Sequence, residues 1–126
     1  MKPKNYGIRI IATVKAFRQL NACSQFATGS FLSTSESNYN KIEKGKKPIS
    51  FDQVEEFANG IQTSTFLILF MAEFYEIASI PLLKWFEEVF KLPYLQNGKK
   101  MKTMLTQDEI DFLSERIKIN IAEIES

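Results

Sequence analysis

The stretch FLILFMAEFYEIASI, residues 66–80, most constrains the fold, because it is apolar on nearly every side when it is drawn as a helix. A helix of that kind is usually buried on several sides, so the other elements are expected to surround it. Its longest uninterrupted apolar run, Phe66 to Ala72, is far shorter than the roughly 20 residues that a membrane-spanning helix needs. The stretch therefore predicts a central core helix, and a chain of 126 residues suffices for one domain around it.

Helix-boundary signals divide the rest of the chain into short helices, whereas strand signals are weak. Ile10, Val14 and Phe17 recur at helical spacing and predict a first helix over about residues 6–21. Hydroxyl side chains that can cap a helix precede most of the later helices, and glycines end two of them. These signals are Ser24, Ser35, Ser50 with Gln53, Ser64, Thr106 with Glu109, the first-turn Pro81, and the glycines Gly45 and Gly60. Together they predict an all-α fold of seven helices.

Two segments near the C-terminus allow more than one interpretation. Asn97-Gly98 is the strongest short hairpin signal in the chain, although a plain basic loop explains its surroundings equally well. The last helix has near-heptad spacing, so it either packs onto its own domain or forms a dimer seam. Its apolar positions are Ile110, Leu113, Ile117, Ile121 and Ile124, with Asn120 at a seam position, and the sixth helix carries a stripe of Leu82, Trp85, Phe86, Val89 and Phe90.

Composition removes most catalytic and metal chemistry. The chain has no histidine, which excludes every Ser-His-Asp and Cys-His scheme and argues against a zinc site. Its one cysteine, Cys23, cannot form an internal disulfide and is interpreted as a small buried hydrophobe. Clustered carboxylates and a phosphate-binding glycine loop are also missing, so we expect no enzyme, no catalytic residue, no metal and no cofactor. The N-terminus lacks the features of a secretory signal, and a cytoplasmic location is expected.

The charge of the chain is unevenly distributed. The net charge is +1, but residues 1–47 hold nine basic and two acidic residues, a net charge of +7. Residues 48–98 carry −5 and residues 99–126 carry −1. One basic third on an otherwise acidic body is typical of a module that binds a polyanion.

A predicted helix with two unlike faces, from Ser35 to Lys44, lies inside that basic third. Tyr39 and Ile42 are three residues apart and would anchor one face. The other face presents amide, hydroxyl, ammonium and carboxylate groups, which are the groups that reach base edges in a major groove. Lysines gather at the end of the helix, where phosphates would run.

These residues and their neighbours resemble the Cro/C1-type (Xre) family of helix-turn-helix DNA-binding domains over about residues 6–72. The resemblance rests on Arg18, Ser24-Gln25, Gly29, the motif SESNYNKIEKGK from Ser35 to Lys46, and Ala58, Ile61 and Ser64. It implies a phage-repressor-like DNA-binding domain of five helices over residues 1–72. Residues 73–126 then form a helical C-terminal extension that serves packing, dimerisation or both.

The resemblance also implies roles for individual side chains. Arg18 and Glu43 would form a structural pair that ties the third helix to the first, and Gln25 would meet a phosphate at its helix N-terminus. Bases would be faced by Glu36, Ser37 and Lys41. The full expected DNA-binding set is Ser24, Gln25, Ser35, Glu36, Ser37, Asn38, Asn40, Lys41, Lys44 and Lys46. The chain departs from the family pattern in the turn, where Ser33 stands in place of the usual glycine.

The sequence therefore predicts a sequence-specific double-stranded DNA-binding regulator of transcription, a homodimeric repressor with the helix Ser35–Lys44 in the major groove. A dimer is expected because one short helix contacts few base pairs, whereas two subunits read half-sites about one helical turn apart. Two alternatives stay open: an antitoxin-like regulator whose C-terminal half also binds a protein partner, and a protein-interaction module on this scaffold without a DNA site. No membrane partner is expected.

Overall fold

The computed structural model describes residues 5–90, 95–96, 99–100 and 104–126. These residues form seven α-helices and one small antiparallel hairpin. The helices are α1 (Tyr6–Leu20), α2 (Gln25–Phe31), α3 (Glu36–Glu43), α4 (Phe51–Gly60), α5 (Thr65–Phe74), α6 (Ile80–Phe90) and α7 (Gln107–Glu125), and the strands are β1 (Leu95–Gln96) and β2 (Lys99–Lys100). The predicted all-α fold class is confirmed.

The N-termini of the helices form where the sequence predicts them. Each candidate cap accepts a hydrogen bond from a backbone N–H of the first turn, and both predicted capping boxes are complete. The residues that cap in this way are Ser24, Ser35, Ser50, Ser64 and Thr106. These bonds satisfy backbone donors that have no partner inside the helix, and they fix where each helix begins.

Four helices end in the same backbone motif, in which the second residue after the last helical residue has a positive φ. In α3 that residue is the predicted Gly45, with φ +76°. In α1, α2 and α4 it is Ala22, Ser33 and Gln62, with φ between +52° and +58°. Each motif is closed by a pair of backbone hydrogen bonds of the Schellman type. Three tight corners are therefore built from residues that are less suited to this conformation than glycine.

Gly60 does end α4, but it does so for a different reason than the sequence suggests. The residue with left-handed backbone is Gln62, two positions later. A Cβ atom at Gly60 would lie 2.4 Å from the ring of Phe31. The Phe31 ring, at the end of α2, therefore packs directly on the backbone of α4. Gly60 therefore permits the close approach of these two helices.

The segment around Asn97-Gly98 contains a hairpin rather than a plain loop. β1 pairs with β2 in antiparallel register, with Leu95 opposite Lys100 and Gln96 opposite Lys99. The two turn residues themselves lie outside the described residues.

α5 is the central core helix that the apolar stretch predicts, but it ends at Phe74, and the rest of that stretch forms a turn that leads to α6 at Ile80. Leu67, Ile68 and Met71 are fully buried, and Phe70 is nearly so. α6 attaches to this helix through Phe86, whose ring lies 5.7 Å from that of Phe70 and 5.0 Å from that of Phe74.

The predicted apolar stripe of α6 is only partly buried. Leu83, which the stripe omits, has no exposed surface, whereas Trp85 and Val89 are about half exposed. The helix turns Leu83 and Phe86 toward α5, and the 100° step between residues carries Trp85 and Val89 away from it. Trp85 and Val89 therefore lie outside the core, although they belong to the apolar stripe.

The last helix packs onto its own domain. Ile110, Leu113 and Ile117 have no exposed surface and belong to the same core cluster as α1 and α5. Asn120, expected at a dimer seam, is fully buried and donates through Nδ2 to the carbonyl oxygen of Ala12 at 3.1 Å. Of the two interpretations of α7, intramolecular packing is therefore correct for this stripe.

A buried arginine links α1 to the end of α5. Arg9 is 7% exposed, and its Nη2 donates to the carbonyl oxygen of Glu73 at 2.8 Å. Its guanidinium lies 5.0 Å from the ring centre of Tyr6 and 5.6 Å from that of Tyr75.

Within the described part of the chain, no helix combines the length and the apolarity that crossing a membrane requires.

We expect Ile117→Ala to lower the free energy of unfolding of the whole domain by about 3 kcal/mol, because it opens a cavity in the shared core. Chemical denaturation monitored by circular dichroism measures the change. Lys118→Ala, on the exposed side of the same helix, is the matched control and should stay within about 0.5 kcal/mol of the original chain. Unfolding of α7 alone, with α1–α5 unaffected, would contradict a continuous core.

Candidate nucleic-acid interface

α3 is held against the core by one face and open to solvent on the other. Tyr39 and Ile42 are buried, as their spacing predicts. Ser37, Lys41 and the C-cap residue Lys44 follow at i, i+4 and i+7 and are all exposed. None of these three side chains forms a hydrogen bond or ion pair with the described residues, so their polar groups remain available to a ligand.

The corner between α2 and α3 is tight and internally bonded. The N–H of Thr34 donates to the carbonyl oxygen of Gly29 at 2.9 Å, and the N–H of Ser33 donates to that of Ser30 at 3.1 Å. A Cβ atom at Gly29 would lie 3.1 Å from the backbone oxygen of Thr34, so this corner needs a small residue there. The corner fixes the angle at which α3 leaves α2.

An ion pair between Arg18 and Glu43 joins α3 to α1. The Nε of Arg18 donates to one carboxylate oxygen of Glu43 at 2.6 Å, and its Nη2 donates to the other at 3.0 Å. The same guanidinium donates through Nη1 to the carbonyl oxygen of Cys23 at 3.0 Å. Glu43 is only 4% exposed, so this bidentate pair is shielded from water and holds α3 at a defined distance from α1.

The surroundings of Glu43 favour its charged form. Burial alone would raise the pKa of Glu43, but the hydrogen bonds from Arg18 and Gln25, the nearby Tyr39 hydroxyl and the charge of Arg18 outweigh burial, so the pKa is lowered. Burial, with the neighbouring Glu43 carboxylate, raises the pKa of the Tyr39 hydroxyl. Glu43 is therefore a carboxylate and Tyr39 a neutral phenol at neutral pH.

Two residues of the expected DNA-binding set form hydrogen bonds within the protein. Gln25 donates through Nε2 to Glu43 at 2.9 Å, and its Oε1 accepts from Nδ2 of Asn40 at 3.2 Å. Because both the nitrogen and the oxygen of its amide are bonded, Gln25 ties α2 to two residues of α3, Glu43 and Asn40. The structure thus places Gln25 and Asn40, both half-buried, in the framework that orients α3.

A basic loop follows α3. Lys44, Lys46 and Lys47 are exposed around Gly45. The ammonium of Lys47 donates to Oδ1 of Asn38 at 2.8 Å, which bridges the loop back to the middle of α3. A Cβ atom at Gly45 would lie 2.8 Å from Cγ2 of Ile124, so the end of α7 supports this loop from behind.

The remaining predicted residues are two helix caps and one side chain of the first turn of α3. Ser24 and Ser35 are exposed, and their hydroxyl oxygens are used as helix caps. Glu36 lies in the first turn of α3, exposed and without a side-chain partner among the described residues. The expected interface therefore separates into an outward set and an inward set. The outward set is Ser24, Ser35, Glu36, Ser37, Lys41, Lys44 and Lys46, and the inward set is Arg18, Gln25, Asn40 and Glu43, with Asn38 tied to Lys47.

Three contacts of this region have no signal in the sequence. They are the bonds of Gln25 to Glu43 and of Lys47 to Asn38, and the packing of Ile124 against Gly45. Each joins residues from different elements, at separations that follow from the fold and from no local pattern.

Cys23, which lies in the turn between α1 and α2, is half-buried, whereas the sequence predicts a buried residue.

No group of acidic, cysteine or histidine side chains among the described residues has the arrangement of a metal site. Comparisons with protein-family models, with curated proteins and with solved structures find no match to this chain.

We expect Glu43→Gln to lower the free energy of unfolding by about 3 kcal/mol, because it leaves the largely enclosed guanidinium of Arg18 without its counter-ion. The lowered pKa of Glu43 also predicts that this stabilisation is complete above the ordinary glutamate pKa of about 4.3 and is lost as the pH falls below it. Denaturant unfolding between neutral and acid pH measures both effects.

Glu36→Gln is the matched control, since it removes the same charge from the exposed side of the same helix. We expect it to leave stability unchanged. A Glu43→Gln variant that is as stable as the Glu36→Gln variant would contradict the structural role of the pair.

We expect Ser33→Gly to raise the free energy of unfolding by about 0.5–1 kcal/mol, because it relieves a left-handed backbone at the α2–α3 corner. Ser30→Gly, three residues earlier within α2, should instead lower stability by about 0.5–1 kcal/mol, since glycine weakens a helix interior. Thermal unfolding of the two variants side by side checks the opposite signs. Equal destabilisation by both would contradict the assigned corner geometry.

Proposed function

We propose that this chain is a sequence-specific double-stranded DNA-binding regulator of transcription, a homodimeric repressor that places α3 in the major groove. One observation carries the proposal: a short helix, fixed from behind by the buried Arg18–Glu43 pair, presents an outward face of polar and cationic side chains without internal partners. The resemblance of residues 6–72 to Cro/C1-type domains supports it.

The outward face of α3 has the chemistry of base recognition. The Lys41 ammonium is a donor that suits O6 and N7 of guanine, and the Ser37 hydroxyl donates or accepts. Glu36, in the first turn, is suited to accept from N4 of cytosine. These three residues would specify the sequence that the helix binds.

The basic loop after α3 has the chemistry of phosphate binding. Lys44 and Lys46 are exposed and have no carboxylate partner among the described residues. A surface helix that served only solubility would pair its lysines with glutamates one turn away. Unpaired lysines at the end of a helix of this size are suited to the phosphates that border a groove.

The inward residues would act by positioning α3 rather than by touching DNA. The amide of Gln25 donates to Glu43 and accepts from Asn40. Their proposed role is to limit the rotation of α3, so that Ser37 and Lys41 meet base edges in one register.

We expect Lys41→Ala to weaken binding to the specific site by about 1–3 kcal/mol and to relax the base preference at the position that it contacts. Fluorescence anisotropy with labelled duplexes that carry the specific site or single-base variants of it measures both effects. Lys118→Ala is the matched control, because it removes an exposed charge from α7, remote in sequence from the interface.

Binding that is weak and insensitive to salt in the original chain would contradict DNA recognition. It would favour a protein-interaction module instead. A protein that neutralises DNA phosphates releases their counter-ions, so its affinity must fall as the salt concentration rises.

A further inference from the structure

The outward face of α6 is apolar although no part of the described chain covers it. Leu83 and Phe86 face the core, and the opposite side carries Pro81, Trp85 and Val89. Trp85 is 55% exposed and Val89 is 50% exposed. Tryptophan is enriched where proteins meet, since it buries a large area for few rotatable bonds.

The charges on this face are arranged so that the face complements itself. Lys84 and Glu88 lie one turn apart beside Trp85, both exposed, and neither forms an ion pair within the described residues. Rotating a helix by 180° about an axis perpendicular to it exchanges its two ends. A second α6 laid antiparallel across the first would therefore bring its Glu88 toward Lys84, and the reverse, as a two-fold interface requires.

The other candidate for self-association is already occupied within the protomer. The apolar stripe of α7 is buried against α1, and Asn120 is bonded to the α1 backbone. A coiled coil through α7 would require that helix to leave its own core.

We propose that the homodimer forms through α6, with two copies packed antiparallel about a two-fold axis beside Trp85. The proposal rests on the proposed function, which calls for a homodimer, but the contact between the two α6 helices requires no DNA. A single helix face of 11 residues buries less than the roughly 1,200 Å² of a standard stable interface. The dimer is therefore weak in free solution, in the micromolar range, and two half-sites on DNA would hold it together.

Sedimentation equilibrium of the full chain without DNA tests this interface. We expect Trp85→Ala to raise the dimer dissociation constant about 30-fold, in line with the loss of a central tryptophan. Phe51→Ala removes an equally exposed aromatic ring from α4 and should leave the dissociation constant unchanged. Melting temperatures show whether each variant folds.

Charge reversal gives a test that is specific to the antiparallel arrangement. Lys84→Glu and Glu88→Lys should each weaken the dimer, because each places like charges opposite one another across the axis. The double variant should restore the dimer. Restoration supports the assigned geometry, and failure of the double variant to recover overturns it.

A chain that stays monomeric at hundreds of micromolar, or a dimer that tolerates Trp85→Ala, overturns the α6 interface. Either result is separable from the proposed function, because steep salt-dependent DNA binding by such a chain would leave DNA recognition intact. Conversely, a dimer that depends on Trp85 but ignores DNA would support the interface and overturn the proposed function.

Discussion

The bidentate ion pair between Arg18 and Glu43 is the contact on which the placement of α3 depends. It joins the first and third helices with its carboxylate almost fully buried, and Gln25 connects α2 to it through bonds with Glu43 and Asn40. Removing one partner of such a pair is costly, but replacing both partners with apolar residues often costs little, since desolvating two charges costs about as much as their attraction returns. Its value lies in geometry, because few other orientations of α3 satisfy both charges. The orientation of α3 in turn fixes the direction in which its outward side chains point.

The helix ends complete the framework. α1, α2 and α4 turn their corners with Ala22, Ser33 and Gln62 in left-handed backbone, and only α3 uses a glycine at this position. Such corners carry strain that the packed core must offset. The core is able to do so because it runs continuously from α1 to α7, and the last helix reaches back to Gly45 through Ile124. The C-terminal extension therefore supports the loop that follows α3 as well as closing the core.

Local chemistry predicts much of this molecule. Caps such as Ser50 and Thr106 depend on residues three positions apart, and the all-round apolar sequence of α5 can only be a buried helix. Helical spacing predicts that Ser37, Lys41 and Lys44 face outward, but it places Asn40 with them, and the structure turns Asn40 toward Gln25. The Arg18–Glu43 pair is expected from the family resemblance. The bonds of Gln25 and the exposure of Trp85 do not follow from either. They depend on which elements meet in three dimensions, and the periodicity of one helix does not contain that information.

Selection of bound duplexes from a random DNA library, at two salt concentrations and with Ser37→Ala in parallel, tests most directly whether α3 reads DNA. The account predicts one enriched motif with two-fold symmetry, half-sites about one helical turn apart, and enrichment that falls steeply as salt rises. It also predicts that Ser37→Ala relaxes the preference at a single position in each half-site. Recovery of no motif, or of the same motif with the same stringency from the variant, would contradict the assignment of α3 as the reading helix.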